Sequence, residues 1–269
     1  MRQPMLIPKR LGQTDLSVSP LGLGTVKLGR NQKVNYPSAF DLPDDDQVKR
    51  LLDIAWELGI NLLDTAPAYG TSEERLGKLM AGSGHDWVIS TKVGEEFADG
   101  ESCFDFTPTQ VRVSIERSLR RLRRDYIDMV LVHSDGNDSA IIERYEIFDV
   151  LAELKRAGWL RAFGMSTKTL EGGLLTARHA DLVMVTYNLN HRAEEAVIDE
   201  CLRLNKGVMV KKALASGHLC SDDATDDPVQ TSMNFVFAHP GISSAIVGTI
   251  NPQHLRDNVS KALLALHQD

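Results

Sequence analysis

Four ionisable side chains stand at the ends of strand-like runs of apolar residues. Asp64 and Tyr69 follow the first of these runs, Lys92 follows the second and His133 ends the third. A carboxylate, a phenol, an ammonium and an imidazole are the groups needed to give a proton to a carbonyl oxygen while a hydride arrives at its carbon. The types and order of these residues therefore indicate carbonyl reduction.

The chemistry of this set depends on proximity. A free tyrosine has a pKa of about 10, but a nearby ammonium group stabilises the phenolate and lowers that pKa. Lys92 is the candidate ammonium for Tyr69, and Asp64 is expected to hold Lys92 in its charged form. His133 is expected to hydrogen-bond the carbonyl oxygen. On this interpretation Tyr69 is the general acid.

The elements that must position these residues follow from the alternation of short apolar runs with longer amphipathic runs. This alternation is typical of parallel strands covered by helices. The predicted strands are eight in number, at 22–26, 61–65, 87–91, 127–133, 161–165, 182–187, 207–211 and 244–247. Eight strand–helix pairs close into a barrel whose strand ends meet at one mouth. We therefore predict one (β/α)8 TIM-barrel domain over residues 1–269, with a short N-terminal β-hairpin at 9–20 that plugs its bottom.

Three predicted helices begin with a capping residue followed by proline at the first helical position. These starts are Thr107-Pro108, Asp227-Pro228 and Asn251-Pro252. At the first of them, Thr107 and Gln110 also have the spacing of a capping box, in which each side chain bonds the other residue's backbone N–H.

The main alternative fold is an open, doubly wound sheet. Its first strand is expected to lead into a Gly-x-Gly-x-x-Gly turn that binds a dinucleotide. The stretch from Gly22 to Lys27 lacks the third glycine. The dinucleotide fingerprint is therefore absent, and the barrel is favoured.

Charge and composition favour a small-molecule ligand. The chain has 30 basic and 37 acidic residues and a formal net charge of −7, which argues against nucleic acid or an anionic membrane as the main partner. Its three cysteines, Cys103, Cys201 and Cys220, show no disulfide or zinc-ribbon spacing. No run has the length and apolarity of a signal peptide or membrane span. We expect a cytoplasmic protein without a bound metal.

Several short motifs resemble those of the aldo-keto reductase family along nearly the whole chain. The matching pieces are Leu11-Gly12, Leu23-Gly24-Thr25, Asp64-Thr65-Ala66, Tyr69-Gly70, Ser72-Glu73-Glu74, Leu76-Gly77, Ser90-Thr91-Lys92, Leu131-Val132-His133 and Asp257-Asn258-Val259. The resemblance implies a barrel that binds NADPH in an extended form and reduces aldehydes or ketones to alcohols, and also catalyses the reverse reaction. It also implies that Asp64, Tyr69, Lys92 and His133 are the catalytic tetrad.

The same resemblance implies a set of cofactor contacts at the strand ends. These are Gly24, Thr25, Asp64, Ser166, Thr167, Lys211, Lys212, Ala213, Leu214, Thr249, His254, Arg256 and Asn258. The groups after strand eight would bind the adenosine 2′-phosphate, helped by the helix start at Asn251-Pro252. NADPH is the expected cofactor, with NADH as the alternative.

Three positions depart from the family pattern. Thr167 replaces an asparagine and Met184 replaces a glutamine, two residues that usually hold the nicotinamide amide. Lys211 stands where an aromatic residue that stacks on nicotinamide is common. A cation there would disfavour the oxidised, positively charged ring, so we expect Lys211 to turn toward the pyrophosphate.

Two functional alternatives remain open, and neither the substrate nor the oligomeric state can be read from the sequence. One alternative is a nicotinamide-nucleotide sensor with little turnover. The other is a lyase or isomerase that uses a neutral Lys92 as a Schiff-base amine. Short loops at 134–139 and 216–228 suggest a shallow, open substrate site.

Overall fold

The chain folds into a closed barrel of parallel strands, seen in a computed structural model. The structure describes residues 5–34, 36, 38–215 and 227–267. The barrel strands are β3 (Leu21–Gly24), β4 (Leu62–Asp64), β5 (Val88–Val93), β8 (Ile127–His133), β9 (Leu160–Ser166), β10 (Leu182–Thr186), β11 (Gly207–Lys211) and β12 (Ser244–Val247). Their spatial order is β10-β11-β12-β3-β4-β5-β8-β9, and β9 pairs with β10 to close the ring. The predicted eight-stranded barrel is therefore confirmed.

The predicted strands differ from the observed ones by at most two residues at either end. Three of them, at 127–133, 207–211 and 244–247, coincide with β8, β11 and β12. Most strand residues are buried, because the barrel interior and the outer helices each cover one face. The first strand ends at Gly24, two residues earlier than predicted, since a short helix begins at Val26.

A two-stranded antiparallel hairpin closes the bottom of the barrel. It consists of β1 (Lys9–Arg10) and β2 (Ser17–Val18), as the sequence predicted. Its side chains Leu11, Leu16 and Val18 are buried in the same apolar cluster as Met129, Met184 and Met209 of the barrel strands. Gly12 has a φ of +52°. A β-carbon there would lie 2.6 Å from the Gly207 nitrogen, so only glycine fits this position without displacement.

Helices surround the barrel on its outer face. They are α1 (Val26–Gly29), α2 (Asp45–Glu57), α3 (Ser72–Leu79), α4 (Pro108–Leu122), α5 (Asp138–Tyr145), α6 (Ile147–Arg156), α7 (Leu170–His179), α8 (Glu195–Arg203), α9 (Pro228–Phe237) and α10 (Pro252–Leu266). A short 3-10 turn occupies Pro67–Tyr69. In the described part of the chain, no helix has both the length and the apolar character needed to cross a bilayer.

The three predicted helix starts are present, but one cap is wrong. Asp227 and Asn251 accept hydrogen bonds from backbone N–H groups in the first turns of α9 and α10. Thr107 precedes α4 without capping it. Its hydroxyl donates to the carboxylate of Asp105 instead, over 2.7 Å. A closer carboxylate acceptor thus replaces the predicted capping box.

A second hairpin, which the sequence analysis missed, interrupts the strand–helix order after β5. It pairs β6 (Glu95–Ala98) with β7 (Glu101–Phe104), and β6 packs against the 3-10 turn at Pro67–Tyr69. The residues from 94 to 106 contain only short apolar runs, so no periodic signal distinguishes this pair from a loop. The hairpin therefore adds a wall to the mouth of the barrel.

Candidate active site

The four predicted reactive side chains lie together at the carboxyl end of the barrel. Asp64 ends β4, Lys92 is the fifth residue of β5, and His133 ends β8. Tyr69 follows β4 on the 3-10 turn, whose start is marked by Pro67. All four line one cavity of about 820 Å³. Parallel strands bring their ends to one mouth, so this grouping follows from the topology.

Lys92 is held in its charged form by a buried ion pair. Its Nζ lies 2.8 Å from Oδ1 and 2.9 Å from Oδ2 of Asp64, and it also donates to the backbone oxygen of Thr65. Burial on its own would lower the pKa of Lys92, but the charge and hydrogen bonds of Asp64 together with the influence of Tyr69 outweigh burial, so the pKa is raised. A raised pKa keeps the amine protonated, and a protonated amine is not a nucleophile. The Schiff-base alternative is therefore disfavoured.

Tyr69 lies beside this ion pair. The Lys92 ammonium is 4.8 Å from the centre of the Tyr69 ring. Burial raises the pKa of Tyr69; Lys92 lowers it and Asp64 raises it again, and the net direction is upward. The sequence-based expectation of a lowered pKa was therefore wrong for the unliganded site. The physical reason is that burial, the largest effect, acts together with the negative charge of Asp64 and outweighs the lowering effect of Lys92.

His133 pairs with an acidic residue that the sequence analysis did not select. The Oε2 atom of Glu95 lies 2.6 Å from Nδ1 of His133, off the line of an ideal hydrogen bond. The second carboxylate oxygen, Oε1, accepts a hydrogen bond of 2.6 Å from Ser102 on the opposite strand of the hairpin. Glu95 directly follows Lys92-Val93-Gly94 at the end of a strand. A carboxylate so close to a strand end is the sequence signal from which Glu95 could have been selected.

The charges of this pair follow from competing effects. Burial would raise the pKa of Glu95, but its contacts with His133 and Ser102 and the charge of Arg30 outweigh burial and lower the pKa to about 2. Burial, together with the charges of Lys92 and Lys211, lowers the pKa of His133 against the opposing influence of Glu95. Glu95 is therefore a carboxylate across the physiological pH range.

Lys211 turns toward the end of β9. Its Nζ donates to Oγ of Ser166 over 2.8 Å and to the backbone oxygen of Thr167 over 2.6 Å. Burial lowers the pKa of Lys211 to about 8. The Thr167 hydroxyl donates to the buried carboxylate of Glu194, so this side chain supports the strand end from behind the cavity wall.

The opposite part of the cavity wall comes from the end of β12 and the start of α10. Gly248, Thr249, His254 and Asn258 all line it. The first turn of the 15-residue helix α10 adds backbone N–H groups and the positive end of the helix dipole. These groups can bind an anion such as a phosphate.

Residues at the ends of β3 and β11 line the wall between these regions. Gly24 and Thr25 contribute from β3, and Lys212, Ala213 and Leu214 follow β11. The Thr25 hydroxyl donates to the backbone oxygen of Asp64, which fixes the end of β4.

A family model described as the aldo/keto reductase family matches residues 20–234. This chain belongs to the aldo/keto reductase family. The match begins at the first barrel strand and includes every member of the Asp64, Tyr69, Lys92 and His133 group. The family expected from the sequence motifs is thereby confirmed.

Solved and curated relatives agree with this assignment. A crystal structure of a Pseudomonas aeruginosa protein assigned to the aldo-keto reductases is 52% identical, covers 99% of each chain and superposes with a TM-score of 0.89. YqkF, an oxidoreductase of Bacillus subtilis, is 28% identical over 94% of this chain and 90% of its own length. An Escherichia coli protein named NADH-specific methylglyoxal reductase is 30% identical over 75% of this chain and 64% of its own. The aldo-keto reductase is accordingly an oxidoreductase.

Most of the predicted cofactor contacts of this aldo-keto reductase line the cavity, and two do not. Thr167 is buried behind the wall, and Arg256 is absent from the lining, where Asp257 is present. Met184, one of the departures from the family pattern, does line it. The phosphate role predicted for Lys211 stays a prediction. The predicted loop at 216–228 lies mostly outside the described residues.

Helix α1 and the residues after it up to Tyr36, together called the first loop here, add cavity residues that the sequence analysis did not select. Lys27, Arg30 and Tyr36 all line the cavity. The ammonium of Lys27 lies 3.9 Å from the centre of the Tyr36 ring, and the guanidinium of Arg30 lies 3.4 Å from the centre of the Phe97 ring. Both contacts have cation–π geometry. The first lies within the first loop, and the second joins this loop to the hairpin β6–β7.

Proposed function

We propose that this aldo-keto reductase reduces an aldehyde or ketone to an alcohol with NADPH, and that Tyr69 is the general acid. The observation that carries this proposal is the shared cavity. It combines Tyr69, the Lys92–Asp64 ion pair and His133 with groups suited to phosphate at the start of α10. The reverse reaction, oxidation of an alcohol, would use the same residues.

The cavity wall fits a nicotinamide dinucleotide. The Gly24 and Gly248 backbones line it without side chains, and a β-carbon at Gly248 would approach the Tyr36 hydroxyl to 3.1 Å. Ser166 and Lys211 offer polar contacts at the strand ends, whereas Thr249, His254 and Asn258 offer them near the α10 dipole. When bound, the cofactor supplies a hydride to the carbonyl carbon. NADPH is favoured by the phosphate-binding groups, and the NADH-specific Escherichia coli relative supports NADH as the alternative.

Tyr69 is suited to donate a proton as negative charge develops on the substrate oxygen. Its raised pKa keeps the phenol protonated at neutral pH. An alkoxide is a stronger base than a phenolate, so transfer from the phenol is favourable. The phenolate that remains lies beside the Lys92 ammonium, and Asp64 keeps that ammonium charged. General acid catalysis of this kind contributes about 10²- to 10⁴-fold to a rate.

Fluorescence titration with NADPH and NADH, followed by turnover of aromatic aldehydes, tests the proposal. The wild type is compared with Tyr69→Phe and with the control Tyr126→Phe, because Tyr126 lies outside the cavity. We expect NADPH to bind both variants and turnover to fall at least 100-fold only in Tyr69→Phe. Binding without turnover in the wild type would favour the sensor, and an equal loss in both variants would refute the role of Tyr69.

We also propose that the protein is cytoplasmic. The odd number and wide spacing of the cysteines, which suit a reducing compartment, support this location. Fractionation of the producing cells, with recovery of the protein in the cytoplasmic fraction, is the test.

A further inference from the structure

The Glu95 carboxylate is fixed beside one nitrogen of the His133 ring. Its Oε2 atom lies 2.6 Å from Nδ1, and its Oε1 atom accepts the hydrogen bond from Ser102. The hairpin register pairs Glu95 with Phe104 and Phe97 with Ser102, so both strands of the hairpin hold this carboxylate. The guanidinium of Arg30 over the Phe97 ring anchors the hairpin to the first loop.

The short Nδ1–Oε2 distance determines where the imidazole proton resides. Glu95 is ionised, since its pKa is lowered to about 2. An ionised carboxylate only accepts hydrogen bonds. Oε2 lies 2.6 Å from Nδ1, off the line of an ideal hydrogen bond, and at this distance its negative charge repels a lone pair on Nδ1 and attracts a proton there. Nδ1 therefore carries a proton.

This placement changes what the other ring nitrogen can do. A neutral imidazole has one N–H group, so a proton on Nδ1 leaves a lone pair on Nε2. Nε2 can then accept a hydrogen bond but cannot donate one. Donation from Nε2 requires the imidazolium, in which both nitrogens carry protons.

We propose that Glu95 fixes the His133 proton on Nδ1, so that His133 donates to a carbonyl oxygen only as the imidazolium and accepts from an alcohol when neutral. Glu95 is thus a positioning residue that acts through His133. The catalytic part of this inference rests on the proposed function, whereas the position of the proton is a property of the unliganded protein.

Several charged groups around His133 set its protonation. Burial lowers its pKa most strongly, and Lys92 on β5 and Lys211 on β11 lower it further. Glu95 opposes them, and Tyr69 faces the ring edge-on with 6.4 Å between ring centres. The net pKa of His133 lies below the usual value of about 6.5. The contribution of the His133 imidazolium to carbonyl reduction should therefore decrease as the pH rises through that pKa. Support for alcohol oxidation should increase over the same interval.

Nitrogen-15 NMR of the ring, recorded without cofactor or substrate, tests the proton position directly. A His133→Gln sample assigns the signals. At pH 8 we expect the wild-type Nδ1 to show the shift of a protonated nitrogen and Nε2 that of an unprotonated one. A neutral ring protonated on Nε2 would overturn the proposal, whether or not the protein reduces carbonyls.

Two substitutions separate the charge of Glu95 from its ability to accept a hydrogen bond. Glu95→Gln retains an amide oxygen but removes the charge, so the pKa of His133 should fall by about one pH unit or more. Glu95→Ala removes both, so the neutral ring should lose its preference for Nδ1. Glu96→Gln is the matched control, since Glu96 pairs with Arg117 instead. An unchanged His133 pKa in Glu95→Gln would refute the charge coupling.

The pH dependence of turnover provides the catalytic readout. In Glu95→Gln the decline of kcat/KM for reduction should move to lower pH by the same interval as the NMR pKa, while Glu96→Gln should follow the wild type. If kcat/KM declines at the same pH in Glu95→Gln as in the wild type, the catalytic part of the proposal is overturned. If the wild type shows no turnover at all, the proposed function fails while the NMR result still decides the proton position.

Discussion

Lys211→Met should reveal the energetic cost of holding an ammonium group among buried groups at the end of β11. Burial lowers the pKa of Lys211 from about 10.5 to about 8. Below pH 8, Lys211 is charged in both the folded and the unfolded protein, so the full free-energy cost of burying its ammonium group lowers the stability. Between pH 8 and 10.5 the unfolded chain binds more protons than the folded one, so stability should rise with pH.

The size of this effect follows from the change in pKa. A difference of about 2.5 between 10.5 and 8 corresponds to roughly 3 kcal/mol. The stability of the wild type relative to Lys211→Met should therefore increase by up to about 3 kcal/mol from pH 7 to pH 10.5. At about 2 °C per kcal/mol for a chain of this size, the melting temperatures should diverge by roughly 6 °C.

Urea unfolding at pH 7, 8.5, 9.5 and 10.5 measures this change, with all variants in one buffer series. Other groups also titrate in this interval, but they are common to every variant and cancel in the difference. Lys212→Met is the matched control, because Lys212 is the neighbouring, exposed lysine. A wild-type advantage over Lys211→Met that is constant with pH, or that decreases, would show that the Lys211 ammonium is not held at a cost.

Two further substitutions test the ion pair and the plug. Asp64→Asn leaves the buried Lys92 ammonium without its counter-charge, so the free energy of unfolding should fall by roughly 3–5 kcal/mol; Asp53→Asn, at an exposed pair with Lys49, should change it by less than about 1 kcal/mol in the same urea titration. An equal loss of unfolding free energy in Asp64→Asn and Asp53→Asn would contradict the burial of the Asp64–Lys92 pair. Gly12→Ala combines a positive φ with a contact of 2.6 Å to the Gly207 nitrogen and should cost roughly 2–5 kcal/mol. Gly82→Ala, with a positive φ and open space, should cost about 1–2 kcal/mol, and thermal melts that rank the two the other way would refute the plug contact.

The barrel and the reactive group were predictable because each leaves a local signal. A buried parallel strand such as Ile127–His133 is apolar almost throughout, and its last residue then marks the mouth. Topology brings Asp64, Lys92 and His133 together without any knowledge of their side-chain contacts. Strand ends therefore carried most of the information about the site.

Features that depend on the spatial arrangement of charges could not be predicted in the same way. The upward shift in the Tyr69 pKa results from burial and from the negative charge of Asp64, and both are properties of the folded site. The Glu95–His133 contact arises because a short hairpin turns back over the mouth, and residues 95–104 have no strong period. The Thr107 hydroxyl donates a hydrogen bond to Asp105 in place of the predicted capping box with Gln110.

The closed ring has a consequence for synthesis of the chain. Leu23 of β3 pairs with Val247 of β12, so the first barrel strand in the chain lies beside the last. On the ribosome, β3 emerges early and cannot acquire this partner until almost the whole chain has been made. Its unpaired N–H and C=O groups therefore stay available to other strands throughout translation. This edge of β3 is covered only after the last barrel strand, β12, has been made.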